Sequence, residues 1–186
     1  MDKKTEEQLS QIKRYSLSDS DIKSLLGGDA RILTYPEFAE YENILDCFDE
    51  EGRCVFLFLT TDANTGHWLC MFLRKDHIEY FDSYAKPPEA QRQWISRDML
   101  EELGEGDRLL YKLMEKSKVP VYYNRFPYQK DKYGYNTCGR WVCARLMNNH
   151  MSNTEFRNFV SQGLREFKLQ EPDDWVCIYT ASKMGK

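Results

Sequence analysis

Cys138 stands in the string Tyr135-Asn136-Thr137-Cys138-Gly139-Arg140-Trp141-Val142, where a polar loop runs directly into a helical pattern. A helix start carries unpaired backbone N–H groups and about half a positive charge, so a thiol placed there ionises more easily than its usual pKa of ~8.5 allows. The thiolate is the attacking form, and the position predicts a nucleophile. The other five cysteines are Cys47, Cys54, Cys70, Cys143 and Cys177. Four of them lie inside or beside apolar runs such as Cys54-Val55-Phe56-Leu57-Phe58 and Trp175-Val176-Cys177-Ile178, and they read as buried, inert fillers.

A cysteine hydrolase also needs a base for the thiol proton, a group that orients the base, and donors for the oxyanion formed on the attacked carbonyl. His67 opens a strand in Thr65-Gly66-His67-Trp68, Asp82 closes the returning strand in Tyr80-Phe81-Asp82-Ser83, and Gln129 lies in a polar loop ahead of Cys138. A two-residue hairpin loop at Lys75-Asp76 or Asp76-His77 pairs odd positions with even ones, which sets His67 and Asp82 on one face. With the first loop, His67 lies opposite Tyr84 and diagonal to Asp82, at a backbone separation of ~7–8 Å that side chains can close. Asp82 would then hold one ring nitrogen while the other faces Cys138, stabilising a thiolate–imidazolium pair. The Gln129 amide and the Cys138 backbone N–H supply the oxyanion donors, and Gly139 leaves the approach uncrowded. Taken singly, His67 reads equally well as a strand-end surface histidine, Asp82 as a turn cap and Cys138 as an idle helix-start thiol. Base, orienter, oxyanion donor and nucleophile in one chain, each at the end of an element, favour the joint reading.

The elements that must carry these groups follow from patterning. Ser18 or Ser20 can cap a short helix through Ile22, Leu25 and Leu26 that Gly27-Gly28 would stop. The alternative for Leu25-Leu26-Gly27-Gly28, a Gly-Gly self-cleavage sequence, is weaker. Ile32–Tyr35 is extended, with Pro36 opening a further short helix. Residues 53–60, 67–74 and 77–81 read as strands of a small antiparallel sheet, with the hairpin turn at Lys75-Asp76-His77. Helical pattern runs between Pro87 and Ser117, and Val119–Tyr123 is a strand that Pro120 assigns to a sheet edge or strand start. Helices are expected from Cys138 and over about 154–167, and a last strand-like run near Trp175–Thr180.

With 186 residues, 41% hydrophobic and 30% charged, and no flexible linker, the chain is expected to form a single domain over 1–186 with a helical N-terminal extension over 1–30. No apolar run approaches a membrane span, and the charged start Met1-Asp2-Lys3-Lys4 is no secretion signal. The expected compartment is reducing, which disfavours disulfides. His67, His77 and His150 are scattered away from zinc-ligand spacings, so neither a metal nor a cofactor is expected. A net charge of −4 opposes bulk nucleic-acid affinity, and the run Lys112, Lys116, Lys118, Arg125, Lys130, Lys132 reads as a solvated face.

At Gly66-His67-Trp68, Phe81-Asp82-Ser83, Gln129 and Asn136-Thr137-Cys138-Gly139 the sequence resembles the adenain-like and ubiquitin-like-protein-specific cysteine proteases. Its flavour is closest to maturation proteases of virophages, Polinton-like elements and large DNA viruses. The likeness covers roughly residues 30–180. It implies an α/β (α+β) fold, a papain-like core in permuted order, with a central helix carrying Cys138 packed on a small, mostly antiparallel sheet and flanking helices. It implies a cysteine endopeptidase that cuts virion precursor proteins near Gly-containing sites, acting as a monomer in the host cytoplasm, at the virus factory, and in the virion interior. The alternative is a deubiquitinase or ubiquitin-like-protein protease acting on host conjugates, and a silent scaffold retaining the fold is the non-enzymatic option. Gln129 lies further from Cys138 than in the adenovirus and ubiquitin-like-protein members, which leaves Asn124 and Asn136 as substitutes. The peptide and DNA that activate the adenovirus relative are not carried over to this acidic chain. Trp68 is expected to shield the His67–Asp82 contact, with ordinary sheet packing as its alternative.

Overall fold

The computed structural model describes residues 3–62 and 64–184. Two N-terminal helices, α1 (Lys3–Arg14) and α2 (Asp19–Leu26), precede a short strand β1 (Ile32–Thr34). Ser18 accepts from the Asp21 N–H at the start of α2, and Gly27 ends it in the left-handed region at φ 92°, so Leu25-Leu26-Gly27-Gly28 is a helix stop. Pro36 falls in the first turn of a 3-10 helix, Tyr35–Glu40.

Strands β2 (Arg53–Asp62), β3 (Thr65–Leu73), β4 (Ile78–Phe81) and β5 (Val121–Tyr123) complete a five-stranded sheet in the order β1-β2-β3-β4-β5. The β2–β3 and β3–β4 pairs are antiparallel, as expected, but both edges are parallel. The sheet is therefore mixed. A parallel partner needs a crossover, and the chain supplies one on each side. Two 3-10 helices lie between β1 and β2, while α3 (Arg97–Glu102) and α4 (Leu109–Ser117) lie between β4 and β5. Pro120 directly precedes the edge strand β5, where its missing N–H costs no ladder bond.

The apolar runs of β2 and β3 are nearly continuous because both sheet faces are covered. Val55, Leu57, Trp68, Cys70, Phe72 and Phe81 face one core with α5 (Cys138–Met147), α6 (Asn153–Glu166) and α7 (Pro172–Met184). Cys54, Phe56, Phe58, Leu69, Met71 and Tyr80 face the other, closed by Tyr35, Phe38 and the α4 residues Leu110 and Leu113. Residues Cys138 to Leu146 are all buried, which makes α5 the central helix. Buried Arg145 anchors it by donating to the carbonyls of Asn148 and Met151 and pairing with Glu79 of β4.

The run at Trp175–Thr180 is helical, in contrast to the strand expected there. Pro172 opens α7, Asp173 and Asp174 occupy its first turn, and Trp175 stacks between Trp141 and Tyr179. A segment buried on nearly every side shows no polar interruption, so periodicity cannot separate helix from strand there. The basic residues of 112–132 are dispersed, with Lys112 paired to Asp107, Lys116 to Glu42 and Lys130 to Glu171. Among the described residues no helix is long and apolar enough to cross a membrane.

Candidate active site

Cys138 is the first residue of α5. Its helix start fits tightly against β3, because a Cβ on Gly139 would stand 3.1 Å from both Leu17 Cβ and Trp68 Cδ1. The hairpin register places the base. The Arg74 N–H donates to the His77 carbonyl at 2.8 Å around a Lys75-Asp76 loop, and the pairs Leu73–Ile78 through Cys70–Phe81 follow. Continued by alternation, that register sets His67 opposite Tyr84, and the two rings stack at 4.9 Å with 20° between their planes.

His67 Nε2 meets Asp82 Oδ1 at 2.8 Å, both side chains being buried, which leaves Nδ1 for the Cys138 thiol. Asp82 is fully enclosed. Its Oδ1 also accepts the Tyr84 N–H at 2.9 Å, and its Oδ2 accepts from Gln91 Nε2 at 2.8 Å. Asn124 braces the Asp82 backbone from both directions, accepting its N–H at 3.0 Å and donating to its carbonyl at 2.7 Å. The Asn124 amide is thereby committed away from the cleft. Asn136 Nδ2 donates one hydrogen to the Arg14 carbonyl and borders the same cleft as Gln129, so it remains a second amide beside Cys138.

Gln129 lines the same cleft, a cavity of about 730 Å³ that also exposes Cys138, His67, Tyr84 and Trp94. Its Oε1 accepts from Ser83 Oγ at 2.7 Å and its Nε2 donates to the Tyr135 carbonyl at 2.9 Å. An amide nitrogen has two hydrogens, so one remains for an incoming oxygen. The structure thus gathers Cys138, His67, Asp82 and Gln129 at one end of the sheet. The holding roles of Gln91 and Ser83 were not found from sequence, and Tyr84 was placed only as the residue opposite His67. Ser83 and Tyr84 adjoin Asp82, whereas Gln91 lies in a 3-10 helix (Ala90–Trp94) with no motif to mark it.

Trp68 points away from the imidazole, since neighbours on a strand face opposite sides. Its ring packs under Gly139 and its Nε1 donates to the Leu17 carbonyl at 3.0 Å. Sheet packing is its role, and the cover over His67 is Tyr84, with Trp94 edge-on at 6.3 Å.

Six buried thiols share one chain, and their electrostatics differ. Burial pushes Cys47 and Cys177 up to about 12, and drives Cys54, Cys70 and Cys143 upward as well. Burial acts on Cys138 too, but the hydrogen bond and charge of His67, with the backbone N–H groups of Trp68 and Gly139, outweigh it and hold the thiol below its ordinary value. Burial alone would lower His67, yet Asp82 and Cys138 together raise it. The two shifts are opposite, thiol down and imidazole up, each drawn by the hydrogen bond and charge of the other.

No protein-family profile matches this sequence. The uncharacterized protein V9 of the Sputnik virophage is 34% identical over 174 residues, covering 93% of this chain and 98% of that protein. This chain belongs to the same family as protein V9. The match to this virophage family spans the whole of the site, from Gly66 to Gly139, within its 93% coverage of the chain. Among solved structures, SUMO protease Ulp1 is 14% identical with a TM-score of 0.39, covering 99% of this chain and 97% of that one. The central domain of the uncharacterized Lpg1148 protein from Legionella pneumophila gives 18% and 0.43, with 91% and 96% covered. The ASFV pS273R protease gives 15% and 0.43, with 91% and 68% covered.

Proposed function

We propose that this chain is a cysteine endopeptidase of the adenain-like and ubiquitin-like-protein-specific superfamily that cuts virion precursor proteins during maturation. One observation carries the reading. Of six buried thiols, the one held below its ordinary value touches an imidazole that is bonded to a fully enclosed carboxylate. Kinship with a virophage protein supports the viral setting.

In the scheme, the Cys138 thiolate attacks the scissile carbonyl and a C–S bond forms as the C=O π pair moves onto oxygen. The second Nε2 hydrogen of Gln129 and the backbone N–H groups at the start of α5 receive that oxyanion. The His67 imidazolium gives its proton to the leaving amine, and the C–N bond breaks. Neutral His67 then takes a proton from water, whose oxygen displaces the sulfur and releases the acid. Asp82 keeps its hydrogen bond to Nε2 throughout and fixes the imidazole. Every proton and electron pair comes from the chain, the substrate and water.

The cleft meets a second cavity of about 760 Å³ at Ser16, Gly66 and Asn136, which border both. In this reading an extended peptide runs through both past Cys138, and cuts near Gly-containing sites are the expected specificity. The reading includes a single domain, a monomer, and action at the virus factory and inside the virion.

The test uses purified protein, its Cys138→Ala variant, virion precursors from the same virus, and fluorogenic ubiquitin and ubiquitin-like conjugates. Defined cuts in the precursors that vanish in the variant, with its melting temperature unchanged, are expected. Release from conjugates alone would transfer the protein to the ubiquitin-like-protein proteases. Precursor cleavage that survives in the folded variant would remove Cys138 from the mechanism.

A further inference from the structure

Asp173 touches neither Cys138 nor His67 in that scheme, yet both ends of the loop between Gln129 and Cys138 are tied to it. It is fully buried in the first turn of α7. Oδ2 accepts the backbone N–H of Lys130 at 2.9 Å, while Oδ1 accepts the Thr137 hydroxyl at 2.6 Å and the Trp141 indole N–H at 3.0 Å. Lys130 follows Gln129, and Thr137 precedes Cys138. One carboxylate therefore sets the distance between the oxyanion donor and the nucleophile.

Thr137 is also the N-cap residue of α5, and it does not cap. Ser18, Ser96 and Ser152 cap α2, α3 and α6 in the ordinary way, each side-chain oxygen accepting an N–H from the first turn. Those three caps have extended backbone, whereas Thr137 is held at helical angles, φ −93° and ψ 0°, with its hydroxyl donating to Asp173. The first-turn N–H groups of α5 thus have no side-chain acceptor at Thr137, and that of Gly139 faces the Cys138 sulfur. A capped helix would spend one of these donors on a hydroxyl oxygen and weaken its pull on an anion.

We propose that Asp173 is a positioning residue that diverts the Thr137 hydroxyl from capping α5, keeping the helix N-terminus free for the Cys138 thiolate while it fixes the loop bearing Gln129. The inference rests on the nucleophile reading of Cys138, but its readout is thiol chemistry and requires no substrate. Charged or titratable groups facing the sulfur are His67 of β3, with Tyr84, Asp82, Lys86, Asp131 and Tyr135 around the cleft. Those around Asp173 are Lys130 and Glu171, with Lys13 of α1 and Asp174 beside them.

The experiment measures iodoacetamide alkylation of Cys138 against pH in the full chain, for wild type, Asp173→Asn, Thr137→Val and the double variant. Asn offers one acceptor oxygen and an NH₂, so it cannot accept all three donors, and a released Thr137 takes the extended backbone of a cap, its hydroxyl oxygen accepting a first-turn N–H of α5. In Asp173→Asn the acid limb is expected to move up, lowering the rate near neutral pH about fivefold, the weight of one capping bond. Loss of a negative charge would by itself move the limb down, so the sign is diagnostic. The double variant, with no hydroxyl to cap, should return the limb to within about twofold of wild type. Peptide cleavage should stay depressed there, because the Lys130 tie is still missing. A limb that stays put or moves down in Asp173→Asn, or that is not restored in the double variant, overturns the proposal. If Asp173→Asn does not fold, Thr137→Val decides: its limb should match wild type, and an upward shift would mean that the hydroxyl supports the thiolate. Wild-type protein that cuts no peptide while the four limbs behave as expected would count against the peptidase reading alone.

Discussion

The sharpest consequence of the site is chemical selectivity among six cysteines. A thiol pushed up to about 12, as at Cys47 and Cys177, is ionised in about one molecule in 10⁵ at pH 7. Cys138 lies below an ordinary value of 9.0, so at least about one in 10² is ionised at the same pH. Ionisation alone therefore favours alkylation of Cys138 by at least ~10³ over its neighbours, and its place in the cleft adds access. Replacing His67 by Ala removes the hydrogen bond and charge that outweigh burial, so the thiol should rise and its rate near neutral pH fall by ~10² or more. Mass spectrometry of tryptic peptides after timed iodoacetamide pulses reads all six sites at once, and repetition from pH 5 to 10 separates ionisation from access. For a thiol held low, labelling persists as pH falls below the usual thiol range and disappears only through the depressed value. Peptide cleavage needs the imidazolium as well, which persists until pH approaches about 10, so its profile should be a bell between these limits. Equal, slow labelling of all six sites, or a His67→Ala rate equal to wild type, would refute the ion-pair argument.

Gln91→Leu strands the buried Oδ2 of Asp82 without a donor, which should cost about 1–3 kcal/mol and lower the melting temperature by several degrees, with a fall in kcat greater than the change in KM. Gly66→Ala would drive a Cβ onto the Phe58 carbonyl oxygen beside His67, a backbone that cannot turn aside. Calorimetry should show a loss of about 1–3 kcal/mol, and cleavage should fall with it, whereas unchanged stability would contradict the close β2–β3 approach. Burial raises the Glu105 carboxyl to about 7 although it accepts the Leu59 N–H at 2.7 Å. A carboxyl raised by folding stabilises most below its unfolded value near 4.5 and loses that contribution as pH rises through about 7. Glu105→Gln, which keeps the acceptor, should therefore melt higher than wild type at pH 8 and alike at pH 5. A wild-type advantage at pH 8 would reverse the assignment.

Much of the site was legible because its parts sit where local rules are strict. Strand alternation and a two-residue turn admit few registers, so placing His67 opposite Tyr84 and beside Asp82 followed from counting, and the stacked rings lie at that pairing. The start of α5 at Cys138 and the stop of α2 at Gly27 were readable from caps and glycines, which act within a few residues. Other features depend on groups far apart in the chain. Gln91 reaches Asp82 only because the crossover after β4 folds back over it, and Asp173 meets Thr137 only because α7 packs against α5. The helix at Trp175–Thr180 was misread as a strand for the same reason, since its even burial comes from Trp141 of α5 and Phe159 of α6 rather than from its own pattern. The sequence by itself determined the chemical identities, the shared face of His67 and Asp82 under either hairpin loop, and the start of α5 and stop of α2, because those obey short-range sterics and hydrogen bonding; the structure chose the Lys75-Asp76 loop. Tertiary structure alone decided what offsets burial at Cys138 and not at the other five thiols, because a pKa depends on the charges and donors that long-range packing brings within a few ångströms.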